Sequence, residues 1–511
     1  MYFKTKSMLS TAVKFSLLAV ASALLVWMIY IAVMQSEWFI VAGLSLVLLG
    51  ANWVYVSKKA VAAKFLFPGI VLLSFFVVIP IIYTAWMSAY NYKTGNEIDK
   101  PQAITQLHQV GLIPAAAGNT YDMIVGTENG NKAVLLTDQG DRTVYLGENG
   151  KISQLTPGTY SVNSDKVATS TSGWKTWSPA EVAANADWLN TLSLPAAKGT
   201  FIAAQGSNLA ALMTEKFKFG QNDSQITDVL TGTVYRDNGN GNFVDIKDKK
   251  HILYPGWRQF NPAQNYLGLI TDPVLRGPFI RVFIWTFVFA FLSVLSMWGL
   301  GLLLAVAMDK KMRLRNFYRG VLILPYAMPS FMSILIWAGI FNRDYGALNG
   351  LLHAQIDWLN DPWLARLAIM TVNLWLGFPY FYLISTGALQ ALPTDIEEAA
   401  EIDGATGRQI FFQIKLPLIF QILSPLLIAS FAFNFNNFNL IYLLTKGGPT
   451  DVLNGETAGA TDILITYAYK TAFGSNEQNL GLACAISVIM FFIVGALSMW
   501  SLRRSKVLEE M

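Results

Sequence analysis

The sequence predicts a mainly α-helical membrane protein, in which a polytopic bundle of eight transmembrane helices carries one large β-rich insert. Two observations predict this fold class. Of the 511 residues, 53% are hydrophobic and only 14% are charged, which is not the composition of an ordinary soluble domain. The apolar residues also gather in blocks of about twenty, the length at which a helix crosses the hydrocarbon core of a bilayer.

The apolar blocks set the predicted spans and divide the chain. The first block is predicted to be a retained anchor, because it is longer than the apolar region of a signal peptide and leads directly into the second. Three spans (1–90), an insert (91–276) and a five-span core (277–511) are the predicted domains. The predicted spans are residues 15–34, 38–56, 67–90, 282–308, 321–341, 367–389, 417–444 and 480–502.

Basic residues beside the spans predict the orientation, because Lys and Arg in short loops stay on the cytoplasmic side. When eight spans are threaded, these residues all fall on one side of the membrane. Both termini and the loop after the sixth span are therefore expected in the cytoplasm, and the insert outside it. The basic residues are Lys4, Lys6, Lys14, Lys58, Lys59, Lys64, Lys310, Lys311, Arg313, Arg315, Arg319, Arg503, Arg504 and Lys506.

The insert is predicted to be β-rich with some helix. Alternating runs at 132–137 and 142–146 lie beside the Asn-Gly pairs 129–130 and 149–150, which are hairpin signals. Residues 179–194 are predicted to be mainly helical. An insert that merely braces the membrane helices is one possible role, although two spans can be joined by a few residues.

Metal and disulfide chemistry are not expected. The sole cysteine, Cys484, lies in the last predicted span, so the insert has no disulfide. Residues 237–242 are compatible with a calcium loop, but Arg236 and Lys247 would then stand where an EF-hand needs carboxylates. A tight hairpin is therefore predicted there. No cofactor is expected, and no phosphate-binding Gly-x4-Gly-Lys-Ser/Thr motif is present, so ATP hydrolysis is not predicted for this chain.

Polar side chains recur at helical spacing in the sixth and seventh blocks. Such residues are costly in hydrocarbon unless they face protein or a water-filled cavity. Their amides, hydroxyls and aromatic rings suit an uncharged sugar, while hydrogen bonds between helices are the equally acceptable alternative. The stripes are Asn373, Gly377 and Tyr380 in the sixth block, and Ser430, Asn434 and Asn437 with Phe433 beside them in the seventh.

A polar loop, 394–417, separates these two blocks. It reads Glu398-Ala399-Ala400, three residues, Gly404, nine residues, then Ile414-x-Leu416-Pro417. The small alanines would let another surface approach closely, and the carboxylate of Glu398 would suit a basic partner. An ordinary polar cytoplasmic loop is the alternative.

Local signals in this loop predict a helix-turn-helix. Thr394 with Glu397 fits a capping box that starts a short helix, and Gly404 would end it. Residues 407–414 are predicted to form a second short helix before Pro417 opens the next span.

The loop pattern resembles that of the inner-membrane permeases of bacterial ABC importers. The strings 322–327 and 430–438, with the arrangement of spans and insert, resemble the larger permease subunit of maltose/maltodextrin importers. The resemblance covers essentially the whole chain and is weakest in the insert. It departs from the family pattern at Phe378, where a tyrosine is usual.

The resemblance implies a function for specific residues. Sugar binding is implied for Leu376, Gly377, Tyr380, Ser430, Phe433, Asn434 and Asn437. Coupling to an ATPase is implied for Glu398, Ala399, Ala400, Asp403, Gly404 and Pro417.

It also implies partners. These are a second, smaller permease subunit, two copies of a cytoplasmic ATPase, a periplasmic maltose-binding protein, maltose or maltodextrin, and membrane lipid. The insert would be immunoglobulin-like in part and would hold the binding protein. No nucleic-acid partner is expected, because basic residues that flank the spans account for the net charge of +4.

Two other classes are possible. An ion-coupled secondary sugar transporter would need an intramembrane carboxylate or a cation site, and the blocks lack the former. A membrane sensor with an outer domain would need a cytoplasmic signalling domain, and the tail after the last block is short.

Overall fold

The computed structural model describes residues 2–57, 59–115, 118–196, 199–309, 313–450, 457–474 and 477–504. Four basic residues used for the orientation, Lys58, Lys310, Lys311 and Lys506, lie outside these ranges. Contacts divide the chain into two compact units. The first is Met1–Ala89, Val274–Ala468 and Ala483–Met511, and the second is Tyr90–Pro273 and Tyr469–Leu482.

Helices make up most of the first unit and also occur in the second. In chain order the helices are α1 Tyr2–Met34, α2 Trp38–Val56, α3 Val61–Leu73, α4 Ile79–Met87, α5 Lys100–Val110, α6 Pro179–Ala184, α7 Ala186–Asn190, α8 Gln264–Thr271, α9 Pro273–Asp309, α10 Arg315–Ala327, α11 Ser330–Ile340, α12 Ala347–Leu352, α13 Pro362–Ala391, α14 Thr394–Ile402, α15 Gly407–Gln409, α16 Leu416–Phe435, α17 Phe438–Thr445, α18 Leu464–Phe473 and α19 Leu480–Arg504. The π-helical segments Ser74–Val78 and Ile410–Lys415 join α3 to α4 and α15 to α16.

Strands occur in the second unit. They are β1 Leu112–Pro114, β2 Thr120–Glu128, β3 Asn131–Asp138, β4 Val144–Glu148, β5 Lys151–Gln154, β6 Tyr160–Val162, β7 Ala168–Thr171, β8 Trp174–Thr176, β9 Ser193–Pro195, β10 Thr200–Ala204, β11 Leu209–Glu215, β12 Phe217–Phe219, β13 Gln225–Asp228, β14 Val234–Asp237, β15 Phe243–Asp245 and β16 Ile252–Leu253.

The lengths of the apolar helices confirm the predicted fold class, a helical membrane protein. Within the described residues, seven helical stretches are long and apolar enough to cross a bilayer, and the bent pair α10–α11 gives an eighth if it is counted as one span. Each of these overlaps one of the predicted blocks. The seven are Ala12–Met34, Trp38–Val56, Val61–Met87, Pro273–Asp309, Pro362–Ala391, Gly407–Phe435 and Leu480–Trp500.

The predicted fifth span, 321–341, is not one straight helix. Helices α10 and α11 meet at a bend of 92°. Between them Met328 is extended, with ψ 139°, and it is followed by Pro329. A proline clashes with a helical conformation of the residue before it, so α10 ends at this point.

The predicted seventh span, 417–444, also differs from the structure. Helix α16 ends at Phe435, and α17 starts separately at Phe438. Asn437 is the N-cap of α17, where its Oδ1 accepts a hydrogen bond from the backbone N–H of Leu440 at 3.4 Å. Asn is favoured at this position because its side chain satisfies a free N–H at the helix start. The prediction that Asn437 shares one helical face with Asn434 was therefore wrong.

Helices α9, α13 and α16 share one apolar core. Met297, Phe381, Ile419 and Leu423 are buried in it. A Cβ atom at Gly301 would lie 2.6 Å from Cβ of Phe381 and 2.7 Å from the backbone nitrogen of Tyr382. Small residues let membrane helices approach closely, so this glycine fixes the close contact of α9 and α13.

The sheets of the second unit are antiparallel. The largest has nine strands in the order β5-β4-β3-β2-β11-β10-β9, with β1 paired to β11 and β8 to β2. Strands β12 to β16 form a second sheet in chain order, and β6 pairs with β7. This confirms a β-rich insert. The predicted helical segment 179–194 contains α6 and α7, but its end belongs to β9.

The hairpin predictions in the insert were confirmed. Asn129 and Gly130 have φ of 48° and 89°, and they join β2 to β3 with Glu128 opposite Asn131. Asn149 and Gly150 join β4 to β5 in the same way. Residues 237–242 join β14 to β15 as a tight hairpin, and the described residues contain no His, Cys, Asp or Glu cluster that could hold a metal.

Candidate functional site

A cavity of about 580 Å³ lies in the first unit, where α10 meets α11 and α16 meets α17. All seven residues for which the family resemblance implies sugar binding line it, together with Asn373. The full lining is Met297, Pro325, Tyr326, Met328, Ser330, Ile334, Asn373, Leu376, Gly377, Tyr380, Phe381, Ala429, Ser430, Phe433, Asn434, Asn437, Asn439 and Leu440.

Helix α13 forms one wall of this cavity. Leu376, Gly377 and Tyr380 lie on it at the spacing of one helical face. At Gly377 a Cβ atom would overlap the sulfur of Met297 on α9. A larger residue here would require Met297 to move, so glycine permits the close packing of α13 against α9. Phe378, the position that departs from the family pattern, is not among the lining residues.

The end of α16 forms another wall of the cavity, and the residues on this wall differ in exposure. Phe433 is 69% exposed, whereas Asn434 is only 2% exposed. Asn434 donates from Nδ2 to the backbone oxygen of Ser430 at 2.8 Å. An exposed aromatic ring is free to stack on a ligand. The buried amide of Asn434 is already hydrogen-bonded within the protein.

Asn373 is the centre of a buried hydrogen-bond network. Its Nδ2 donates to Oγ of Ser293 on α9 and to Oδ1 of Asn434 on α16, both at 2.8 Å. Its Oδ1 accepts from Nδ2 of Asn437 at 3.5 Å. The side chain of Asn373 therefore connects its own helix, α13, to α9, to α16 and to the N-cap of α17. Hydrogen bonding between helices is therefore observed in this stripe, whose residues also line the cavity.

Replacing Asn373 with leucine is expected to destabilise the protein by about 1–3 kcal/mol, because Ser293 and Asn434 would lose buried partners. Thermal unfolding of the purified protein in detergent measures the effect. Thr371→Val on the same helix is the control, since among the described residues the Thr371 hydroxyl bonds only to the backbone of its own helix, at Leu367. Equal unfolding temperatures for Asn373→Leu and the wild type would contradict a stabilising network.

The wall that α10 and α11 contribute was missed from the sequence. Tyr326 and Ser330 flank the bend and line the cavity. The pair Pro325 and Pro329 was the available signal, because two prolines in one apolar block indicate a break. Asn439, in the first turn of α17, was also missed.

The lining is uncharged. None of the described lining residues is Asp, Glu, Lys or Arg, whereas amide, hydroxyl and aromatic groups are frequent. Amides and hydroxyls both donate and accept hydrogen bonds, and aromatic rings stack on apolar faces. This surface is suited to a neutral polyhydroxylated ligand and offers no counter-charge to an ion.

The loop between α13 and α16 contains the short helix α14. Glu398, Ala399 and Asp403 are exposed, and Ala400 is half-buried. Gly404 follows the helix with φ of +82°, so the predicted glycine stop was confirmed.

The predicted capping box at Thr394 was wrong. Pro393 occupies the N-cap of α14 and makes no side-chain cap. Thr406 instead caps α15, because its Oγ1 accepts a hydrogen bond from the Gln409 backbone N–H at 3.4 Å. In return, Oε1 of Gln409 accepts from the Thr406 backbone N–H at 2.8 Å, which completes a capping box. The second short helix is also not separate, since α15 continues through the π-helical segment into α16. Pro417, near the start of α16, is exposed.

Two family models match the chain. Residues 297–505 match the model described as binding-protein-dependent transport system inner membrane component. Residues 71–150 match the N-terminal of TM subunit in PBP-dependent ABC transporters. Together with the bilayer-length helices, these matches define a class of protein, the inner-membrane permeases of binding-protein-dependent ABC transporters.

Relatives that match over most of their length narrow this class. The maltose/maltodextrin transport system permease protein MalF of Vibrio vulnificus is 35% identical over 472 residues, 89% of this chain and 88% of the relative. The MalF proteins of Photorhabdus laumondii (32%, covering 92% of each chain) and Escherichia coli (33%, covering 98% of this chain and 97% of the relative) are similarly close. The chain therefore belongs to the MalF family of ABC transporter permeases. It is a multi-pass inner-membrane transport subunit and not an enzyme.

Proposed function

We propose that this permease moves maltose and maltodextrins across the inner membrane by alternating access. The observation that carries the proposal is the uncharged cavity, in which amide, hydroxyl and aromatic side chains meet. Sugar hydroxyls need partners that both donate and accept hydrogen bonds, and the C–H faces of a sugar stack on aromatic rings. The MalF names of the relatives supply the sugar class.

Within the cavity, we assign the proposed sugar contacts according to how exposed each lining side chain is. Phe433 and Tyr380 would stack on the sugar, and Ser430 and Asn437 would hydrogen-bond to it. The backbone at Gly377 and the side chain of Leu376 would complete the wall on α13. Asn434 would contribute its remaining hydrogen-bonding capacity while Asn373 holds its amide in place.

The proposed partners follow from the family. A MalG-like second permease would complete the pathway, and two MalK-like ATPases in the cytoplasm would supply the energy. A periplasmic maltose-binding protein would deliver the sugar. The proposed ATPase contact is α14 with its following turn: Glu398, Ala399, Ala400, Asp403, Gly404 and Pro417. Closure of the ATPases would then rock the helices between inward-open and outward-open states.

The proposed topology places both termini and α14 in the cytoplasm and residues 91–276 in the periplasm. Counting α10 and α11 as one broken span gives the eight crossings that this arrangement needs. Broken helices are tolerated at membrane depth where they line a cavity. The break between α10 and α11 and the break between α16 and α17 both flank the cavity. The insert between the third and fourth spans would dock the binding protein.

Uptake by proteoliposomes tests the proposal. Vesicles would contain this chain with the second permease and the ATPase, with ATP enclosed and sugar-loaded binding protein outside. Uptake of labelled maltose should require ATP and binding protein, and should continue when proton and sodium gradients are dissipated. Uptake that needs an ion gradient and ignores ATP would instead establish a secondary transporter.

A further inference from the structure

We infer that the ion pair between Glu397 and Lys415 fixes α14 to α16, so that movement of α14 passes to the helix that carries Phe433 and Asn434. The inference rests on the proposed function, because it concerns how an ATPase docked on α14 would act on the cavity. Neither residue of the pair lines the cavity or belongs to the Glu398-Ala399-Ala400 pattern.

The pair is short and partly shielded from water. Nζ of Lys415 lies 2.6 Å from Oε1 of Glu397, and the two side chains are 21% and 34% exposed. A charged donor and a charged acceptor at this distance form one of the stronger kinds of hydrogen bond. Partial burial also reduces screening by salt, which weakens fully exposed pairs.

On one side of the pair, α14 has little packing of its own. None of its residues is buried, and Ile396 and Ile402 are 40% and 86% exposed. The chain then turns at Gly404, whose φ of +82° is cheap only for glycine. Burial of apolar surface therefore contributes little to the orientation of α14 against the span. The ion pair supplies a contact that fixes this orientation.

On the other side of the pair, Lys415 is part of the helical stretch that spans the membrane. It is the last residue of the π-helical segment that runs directly into α16. Leu416 beside it packs against the core that contains the buried residues Ile419 and Leu423. A helix rises about 1.5 Å per residue, so Lys415 and Asn434 are roughly 28 Å apart on one helical element. Force applied at Lys415 therefore reaches the cavity wall along that element.

Charge reversal tests the pair in the assembled transporter. Glu397→Lys and Lys415→Glu should each lower the ratio of sugar taken up to ATP hydrolysed by about tenfold, because like charges would then face each other. The double variant Glu397→Lys/Lys415→Glu restores opposite charges, and it should recover to within about threefold of the wild type. Uptake and ATP hydrolysis are measured in the same proteoliposomes and normalised to assembled complex.

Glu401→Lys is the matched control, since it reverses an exposed charge on α14 without touching the pair. It should keep the wild-type ratio. An unchanged ratio in the single variants would overturn the inference. So would a double variant that is as defective as the worse of the two single variants. A control variant affected as strongly as the single variants would overturn it too. Because wild-type complex must first show ATP-driven uptake, failure of the proposed function would be seen separately.

Discussion

Phe433→Ala is expected to reduce sugar affinity about thirtyfold while leaving the complex assembled. The ring is 69% exposed and lines the cavity, so its loss removes ligand contact without opening the helix core. Burying an aromatic face of this kind contributes about 2 kcal/mol, which corresponds to that change in affinity. The measurement is the sugar concentration that half-saturates binding of labelled maltose to the purified complex without binding protein, together with co-purification of the partner subunits.

Phe420→Ala provides the matched control. Phe420 is 52% exposed on the same helix and contacts Trp298 at a ring distance of 5.8 Å, but it does not line the cavity. Its replacement should leave half-saturation unchanged. Wild-type half-saturation in Phe433→Ala would remove this ring from the site. A defect of equal size in both variants would point to the α16 scaffold and not to a sugar contact.

The spans and hairpins could be predicted from the sequence because their signals are local. An apolar block of bilayer length identifies a spanning helix wherever it packs. An Asn-Gly pair such as 129–130 identifies a hairpin, since both residues adopt positive φ readily. Such signals do not depend on distant parts of the chain.

The broken helices could not be predicted so directly. Extending helical spacing from Asn434 placed Asn437 on the same face, yet α16 had already ended at Phe435. Asn437 still lines the cavity, because the break returns its side chain to the network around Asn373. Helical spacing therefore grouped residues that do line one cavity, although the geometric reason was partly wrong.

The wall that α10 and α11 contribute depends on long-range packing, which a single sequence does not show. Tyr326 and Ser330 lie far along the chain from α13 and α16, and they reach the cavity only because α10 and α11 bend by 92°. Likewise, Glu397 and Lys415 lie near the two ends of the 394–417 loop, and no local sequence signal marks them as a pair. The capping box at Thr394 was wrong because Pro393 takes the N-cap position.

Glu398→Lys is expected to lower ATP-driven uptake by about a hundredfold or more. Glu398 is exposed on α14 and makes no ion pair within the described part of the chain, so its carboxylate is available to a basic partner surface. Reversing its charge would place like charges in contact, which costs several kcal/mol. Both uptake and retention of the ATPase during purification should fall, while sugar binding to the cavity should persist.

Glu401→Lys again serves as the comparison, because it makes the same charge change on the same exposed helix. If Glu398 contacts the ATPase directly, its reversal should release the ATPase and that of Glu401 should not. Retained ATPase and unchanged uptake in Glu398→Lys would exclude α14 as the contact. Loss of ATPase in both variants would show a general charge requirement of the loop, in which no single carboxylate is recognised.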